Sequence, residues 1–262
     1  SLIVVDAETD EDLSCLAEAG LNHRQASGEK PIWTGSAGLA GALARHLAAA
    51  EPLPSAREEP HSSLNGEGHP MGGVLLVCGT RSPVTLAQIA ALDPRRVTRL
   101  SFSARDLAAW ASLPEPDGAP TAPLREGLAR ARQLLGSRHD VLLMVGDDLM
   151  LGDARPEGPV NLDPLAIVAG LARLVDRIME AARPGALFLS GGDTAQAALN
   201  RLGVSALWVV AEILPGIPLC RAADGPWRGL PVVTKSGGFG DTDALVRVVD
   251  YLRNGPAQTS AP

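Results

Sequence analysis

Two glycine-rich turns in the C-terminal third hold the residues with the clearest chemical use. The first is Ser190-Gly191-Gly192-Asp193-Thr194, directly after the apolar run 186–189. The second is Lys235-Ser236-Gly237-Gly238-Phe239-Gly240-Asp241, directly after a run that includes Val232 and Val233. In each, an apolar strand-like run ends in glycines and a helix-like segment follows, 195–202 in one and 242–252 in the other. Glycine lets the chain turn tightly and lets a ligand approach main-chain N–H groups. A helix behind the turn adds unbonded N–H donors and the positive end of its dipole, a setting that suits a phosphate. The chemistry expected at these turns is binding of a nucleotide or a phosphorylated ligand.

The flanking polar residues narrow that chemistry. Neither turn is a P-loop, because Lys235 and Ser236 precede their glycines instead of following them, and no Gly-x-Gly-x-x-Gly opens the first βα unit. Asp193 and Asp241 read as helix N-caps. Alternatively, Asp193 with Thr194 could hold a hydrated metal or ribose hydroxyls. Lys235 reads either as a neutraliser of phosphate charge or as a surface lysine at a strand end. Asp147 and Asp148 are adjacent, and neighbours on an extended chain point to opposite faces, so they read as solvated loop. The five histidines show no metal-ligand spacing, and no Gly-x-Ser-x-Gly elbow supplies a nucleophile, which argues against a hydrolase. No metal-ligand set and no catalytic base is assigned.

These turns need strands and helices to position them. Leu2–Val5 reads as a short buried strand, followed by a helix ending at Gly20. A second, Ala- and Leu-rich helix follows Thr34-Gly35-Ser36-Ala37-Gly38 and runs to about Ala50. Residues 51–72 are Pro, Ser, Glu, Gly and His with few apolar residues and read as a linker or surface loop. Residues 73–78 form a buried-type strand, and Ser82 with Pro83 signals the start of a helix. Strands are expected near 97–102, 141–145 and 206–210, and helices over 123–135 and 162–182. Residues 214–218 read as loop, and the last residues, 255–262, as a disordered tail. Strands alternating with helices predict an α/β fold with a mostly parallel sheet and helices on both faces. The glycine turns then fall at the C-terminal ends of the strands, where such folds bind ligands.

Composition excludes several classes. The net charge of −7 and the lack of a Lys/Arg run argue against a nucleic-acid face. No apolar stretch approaches the roughly 20 residues that span a bilayer. Cys15, Cys78 and Cys220 are widely separated and read as reduced, buried thiols of a cytoplasmic protein. The sequence opens at Ser1 without a methionine and moves straight into an apolar run, so further sequence is expected upstream.

Six segments in order resemble the four-carbon acid sugar kinases: 4–13, Thr34–Ala40, Gly79–Thr85 with Gln88 and Ile89, Ser190–Thr194, Glu212–Pro218 and Lys235–Gly240. Members of that family are two-domain, ATP-dependent enzymes that phosphorylate acids such as threonate, erythronate or 3-oxo-tetronate. The resemblance implies that residues 1–50 are the tail of an N-terminal substrate-binding domain and 73–254 the nucleotide-binding domain. It implies ATP contacts at Ser36, Gly191, Gly192, Asp193, Thr194, Gly237, Gly238 and Gly240, with Ser82, Lys235 and Ser236 as further phosphate or turn contacts. It also implies ATP with Mg²⁺ and a four-carbon sugar acid as partners, in a cleft completed by a missing N-terminal domain or a partner subunit. The family's Asp-Asp-containing N-terminal motif, expected to serve the sugar-acid side, is not in this sequence. Two other readings fit the same turns: a non-catalytic nucleotide-binding or partner-docking module, and a sugar-phosphate-binding α/β protein.

Overall fold

The computed structural model describes residues 2–50, 72–80, 82–114, 118–146 and 162–255. Residues 51–71 of the expected loop at 51–72, the Asp147-Asp148 segment and the tail after 255 lie outside the described residues. The chain divides into two compact units, 1–66 and 67–262.

The described residues of the N-terminal unit form a helix pair, α1 (Asp10–Ser27) and α2 (Ala37–Ala50). Thr9 opens α1 with a capping box. Its hydroxyl accepts from Asp12 N–H, and the Asp12 carboxylate accepts from Thr9 N–H at 2.9 Å. Helix α1 runs past Gly20 to Gly28, which takes the left-handed conformation at φ 74°. Gly20 stays inside the helix because only a hydrogen fits there: a Cβ would lie 2.1 Å from the Trp33 ring. The two helices meet at small residues, with Ala17 and Ala42 buried, and Ser14 Oγ bonds His46 Nε2 at 2.9 Å. The expected strand at Leu2–Val5 does not form. Those residues are exposed, and among the described residues of this unit no strand offers a ladder to pair with.

The larger unit is the expected α/β fold. Its strands are β1 (Val74–Cys78), β2 (Val97–Phe102), β3 (Asp140–Val145), β4 (Ala186–Ser190), β5 (Leu207–Leu214), β6 (Ile217–Ala222) and β7 (Pro231–Lys235). They form one sheet in the order β2-β3-β1-β4-β7-β6-β5. The first five of that order are parallel, while β6 runs antiparallel to both β7 and β5. β1 is buried on both faces, as its uninterrupted apolar sequence requires.

Helices cover both faces. Against one pack α4 (Ala104–Ala111), α5 (Ala122–Gly136), α6 (Pro164–Ala182) and α7 (Gly192–Arg201), through Leu107, Leu128, Leu174 and Ala198 among others. Against the other pack α3 (Pro83–Ala91) and α8 (Ala244–Asn254), through Ile89, Leu245 and Val248. β1 divides its side chains accordingly, Leu75 and Val77 to the first face and Val74, Leu76 and Cys78 to the second. β1 is therefore followed by a helix on one face, and its neighbour β4 by a helix on the opposite face. That reversal is the switch point at which open α/β sheets form a crevice.

Three details differ from the sequence expectation. The segment at 214–218 is the tight turn of a β5–β6 hairpin, with Gly216 at φ 73°, and β6 was not expected at all. Helix α4 was also unforeseen; Ser103 caps it by accepting from Asp106 N–H at 3.2 Å. Of the three free cysteines, Cys78 and Cys220 are buried but Cys15 is exposed.

Candidate nucleotide site at the sheet switch point

A crevice of about 440 Å³ lies over the C-terminal ends of β1, β3, β4 and β7. The turn after β1 contributes Gly79 and Thr80, the turn after β4 contributes Gly191 to Thr194, and the turn after β7 contributes Gly237. The start of α6 closes one side with Pro164, Ile167 and Val168. Five of the sequence-nominated residues, Gly191, Gly192, Asp193, Thr194 and Gly237, thus line a single cavity.

Each glycine here has a specific reason. Gly191 sits at φ 104°, a conformation that L side chains rarely adopt, and is the N-cap of α7. A Cβ at Gly79 would fall 2.1 Å from Thr194 Oγ1, and one at Gly237 would fall 2.7 Å from Thr80 Oγ1. The three turns are therefore packed backbone to side chain. Gly192 is different, because a Cβ there meets nothing within 4 Å and would enter the open crevice.

Helix α7 begins at Gly192, so Asp193 is an exposed first-turn residue instead of the expected N-cap. Its first helical closure is Ala195 N–H to Gly191 O at 2.9 Å, which leaves the N–H groups of the first turn without intrahelical carbonyls. Thr194 is buried, with its hydroxyl turned toward Gly79. Likewise α8 begins at Ala244, three residues beyond Asp241, whose carboxylate instead bonds Arg247 at 3.1 Å.

Lys235 is not on the surface. It is 3% exposed, and its ammonium donates to Ser236 O at 2.9 Å, Phe239 O at 3.1 Å and Thr85 Oγ1 at 3.3 Å. Burial pulls its pKa below the ordinary value of 10.5. The neighbouring Cys78 thiol is pushed up to about 12 by burial and stays protonated. Ser236 and Gly238 are exposed on the same loop, and Gly240 takes φ 83° at its far end. Ser82 is the N-cap of α3. Ser36 belongs to the N-terminal unit, where its hydroxyl accepts from Leu39 N–H at 3.4 Å at the start of α2.

Sequence reasoning named Thr85 and Gln88 only within a family-like segment and gave neither a place beneath the site. Both are wholly buried on α3, while Val84 and Leu86 of the same helix are each 37% exposed. A helix face that buries polar residues beside solvent-facing aliphatic ones was the available signal.

Comparisons with known proteins identify the family. Residues 75–245 match a family described as a nucleotide-binding C-terminal domain. A D-threonate kinase of Bordetella bronchiseptica is 32% identical over 254 residues, covering 96% of this chain and 53% of that protein. A 3-oxo-isoapionate kinase of Paraburkholderia graminis is 30% identical over 255 residues, covering 91% and 49% respectively. A solved structure of a domain of unknown function from Bordetella bronchiseptica, a domain-swapped dimer with bound citrate, has a TM-score of 0.55 at 26% identity. That match covers 95% of this chain and 52% of the other. The chain spans about half the length of the curated relatives it matches. Through its nucleotide-binding C-terminal domain, the chain belongs to the four-carbon acid sugar kinase family.

Proposed function

We propose that this chain supplies the ATP-binding half of a kinase that phosphorylates a four-carbon sugar acid of the threonate, erythronate or 3-oxo-tetronate type. The observation that carries this reading is the convergence of three glycine turns and the start of α7 on one crevice at the sheet switch point. Main-chain donors gathered there can hold phosphate oxygens without the desolvation cost of a buried lysine–phosphate pair. Phosphoryl transfer asks the protein chiefly to position its partners and to stabilise charge, and fixed amides do both.

Mg²⁺ would arrive with the triphosphate. Among the described residues no group of three or more His, Cys, Asp or Glu side chains could hold a metal, so phosphate oxygens and water would supply most of its ligands. Asp193, exposed at the crevice rim, is the residue placed to take that ion's hydration shell. The sugar-acid contacts and the catalytic base belong to the part of the family's architecture that this chain does not match.

Calorimetric titration of the chain with ATP, with and without Mg²⁺, tests the reading. Saturable binding is expected, and Gly192→Val should abolish it, because the added side chain fills phosphate space. The substitution should leave stability within about 1 kcal/mol, since Gly192 stands at a helix start with open space before it. Unchanged ATP affinity in that variant would sink the placement.

A further inference from the structure

The loop after β7 is organised from beneath by three buried polar side chains. Lys235 Nζ donates to Ser236 O and Phe239 O. Thr85 Oγ1 donates to Gly237 O at 2.8 Å. Gln88 Nε2 donates to Phe239 O at 3.0 Å, Gly240 O at 3.1 Å and Asp241 O at 2.8 Å. Five successive or near-successive carbonyls are thereby drawn inward to one buried point.

In a trans peptide the carbonyl of one residue and the N–H of the next point in opposite directions. Pulling the carbonyls of Ser236 and Gly237 inward therefore turns the N–H groups of Gly237 and Gly238 outward. Gly237 lines the crevice, and a Cβ at Gly238 would meet nothing within 4 Å. The loop accordingly presents amide donors to open space, with an ammonium fixed behind them. Among the described residues that ammonium bonds only neutral oxygens.

Gln88 shows that this arrangement runs against simple stability. Its Nε2 is fixed by three carbonyls, and its Oε1 is left buried with no hydrogen-bond partner among the described residues. A buried acceptor without a partner is a cost that an apolar residue of similar size would avoid. A leucine would pack α3 against α8 as well, but it would gather no carbonyls.

We infer that Thr85, Gln88 and Lys235 are positioning residues that hold the 236–241 loop with its amides facing outward, as a preformed cradle for a phosphate group. The inference rests on the nucleotide reading for the identity of that group but not for its test. None of the three touches the ligand; each acts through the peptide planes above it.

The test follows the Gly237 and Gly238 amide resonances of the ¹⁵N-labelled chain while inorganic pyrophosphate is added. In the wild type both should move saturably. Thr85→Ser keeps the hydroxyl and should hold the midpoint within about twofold. Thr85→Val keeps the shape but loses the donor, and should weaken binding about tenfold. Gln88→Leu should weaken it by a similar factor while the rest of the spectrum stays folded. Stability alone would not separate serine from valine in this way, because serine opens a methyl-sized gap and valine does not. Equal midpoints for Thr85→Val and Thr85→Ser would overturn the inference, and so would wild-type amides that ignore pyrophosphate. Failure of the nucleotide reading shows separately, as ATP binding that is absent or indifferent to Gly192→Val.

Discussion

The two ends of the sheet each hold a cation at least partly withdrawn from solvent, and they treat it in opposite ways. At the N-terminal end Arg253 of α8 pairs with Asp140, the first residue of β3, with Nε 3.1 Å from Oδ2. The same guanidinium donates to Gly72 O at 3.0 Å and Arg138 O at 2.8 Å, and Asp140 accepts from Val74 N–H at 2.8 Å. Charge there is neutralised, and the cluster ties β1, β3 and α8 together. At the C-terminal end Lys235 bonds, among the described residues, only carbonyls and a hydroxyl. One cation is spent on holding the sheet; the other is left without a carboxylate partner among the described residues.

The sharpest way to break this contrast is at the neutralised end. Asp140→Ala would strand the largely buried Arg253 without its carboxylate and remove the acceptor for Val74 N–H. We predict a loss of about 3 kcal/mol, at the lower end of the range for breaking a buried pair because Arg253 reaches solvent in part. Urea denaturation reads it directly. Molecules that remain folded should bind ATP as the wild type does, so a stable variant with weakened ATP binding would refute the division of labour.

A matched pair of glycine substitutions probes the other end. Gly79→Ala forces a methyl against Thr194 Oγ1 and Leu171, while Gly192→Ala meets open space. Overpacking should cost Gly79→Ala about 2 kcal/mol and displace the first turn of α7, weakening ATP binding along with stability. Gly192→Ala should leave stability unchanged or slightly improved. Equal stabilities for the two variants in the same urea titration would contradict the packing described here.

Much of this contrast was written locally in the sequence, and its decisive part was not. Apolar runs ending in Gly191-Gly192 and Gly237-Gly238 announce strands with turns above them, and the alternation with helices announces a mostly parallel sheet. The switch point is not local, because it depends on β4 crossing to the far side of β1, and pairing order leaves no mark on either strand. Strand β6 was hidden by Pro215, Gly216 and Pro218. Pro218 is tolerated because β6 pairs with β7 only from Leu219 onward, so no β7 carbonyl lacks a donor on its account. Leu2–Val5 shows the opposite failure, in which an apolar run reads as a strand but finds no ladder to join among the described residues. Lys235 was the hardest to read. A lysine at a strand end is ordinarily a surface residue, and the side chain its ammonium bonds here is Thr85, 150 residues earlier in the chain.

A small effect on stability, and the most telling in its pH dependence, is expected from replacing that lysine. Lys235→Met removes an ammonium whose burial is unfavourable, but it also removes hydrogen bonds to three oxygens, each worth about 1 kcal/mol net. The two terms oppose one another, so at pH 7 the net change should stay within about 1 kcal/mol. The pH dependence separates them. Burial lowers the folded-state pKa of Lys235 below 10.5. Between the two values the unfolded chain holds more protons than the folded one, so wild-type stability rises with pH across that window and carries its penalty below it. The stability of the wild type relative to Lys235→Met should therefore increase from pH 7 toward pH 10. A stability difference that stays flat, or moves toward the variant as pH rises, would mean that the ammonium is not held out of water as the structure has it. The sheet would then carry two satisfied cations, and the contrast between its ends would be lost.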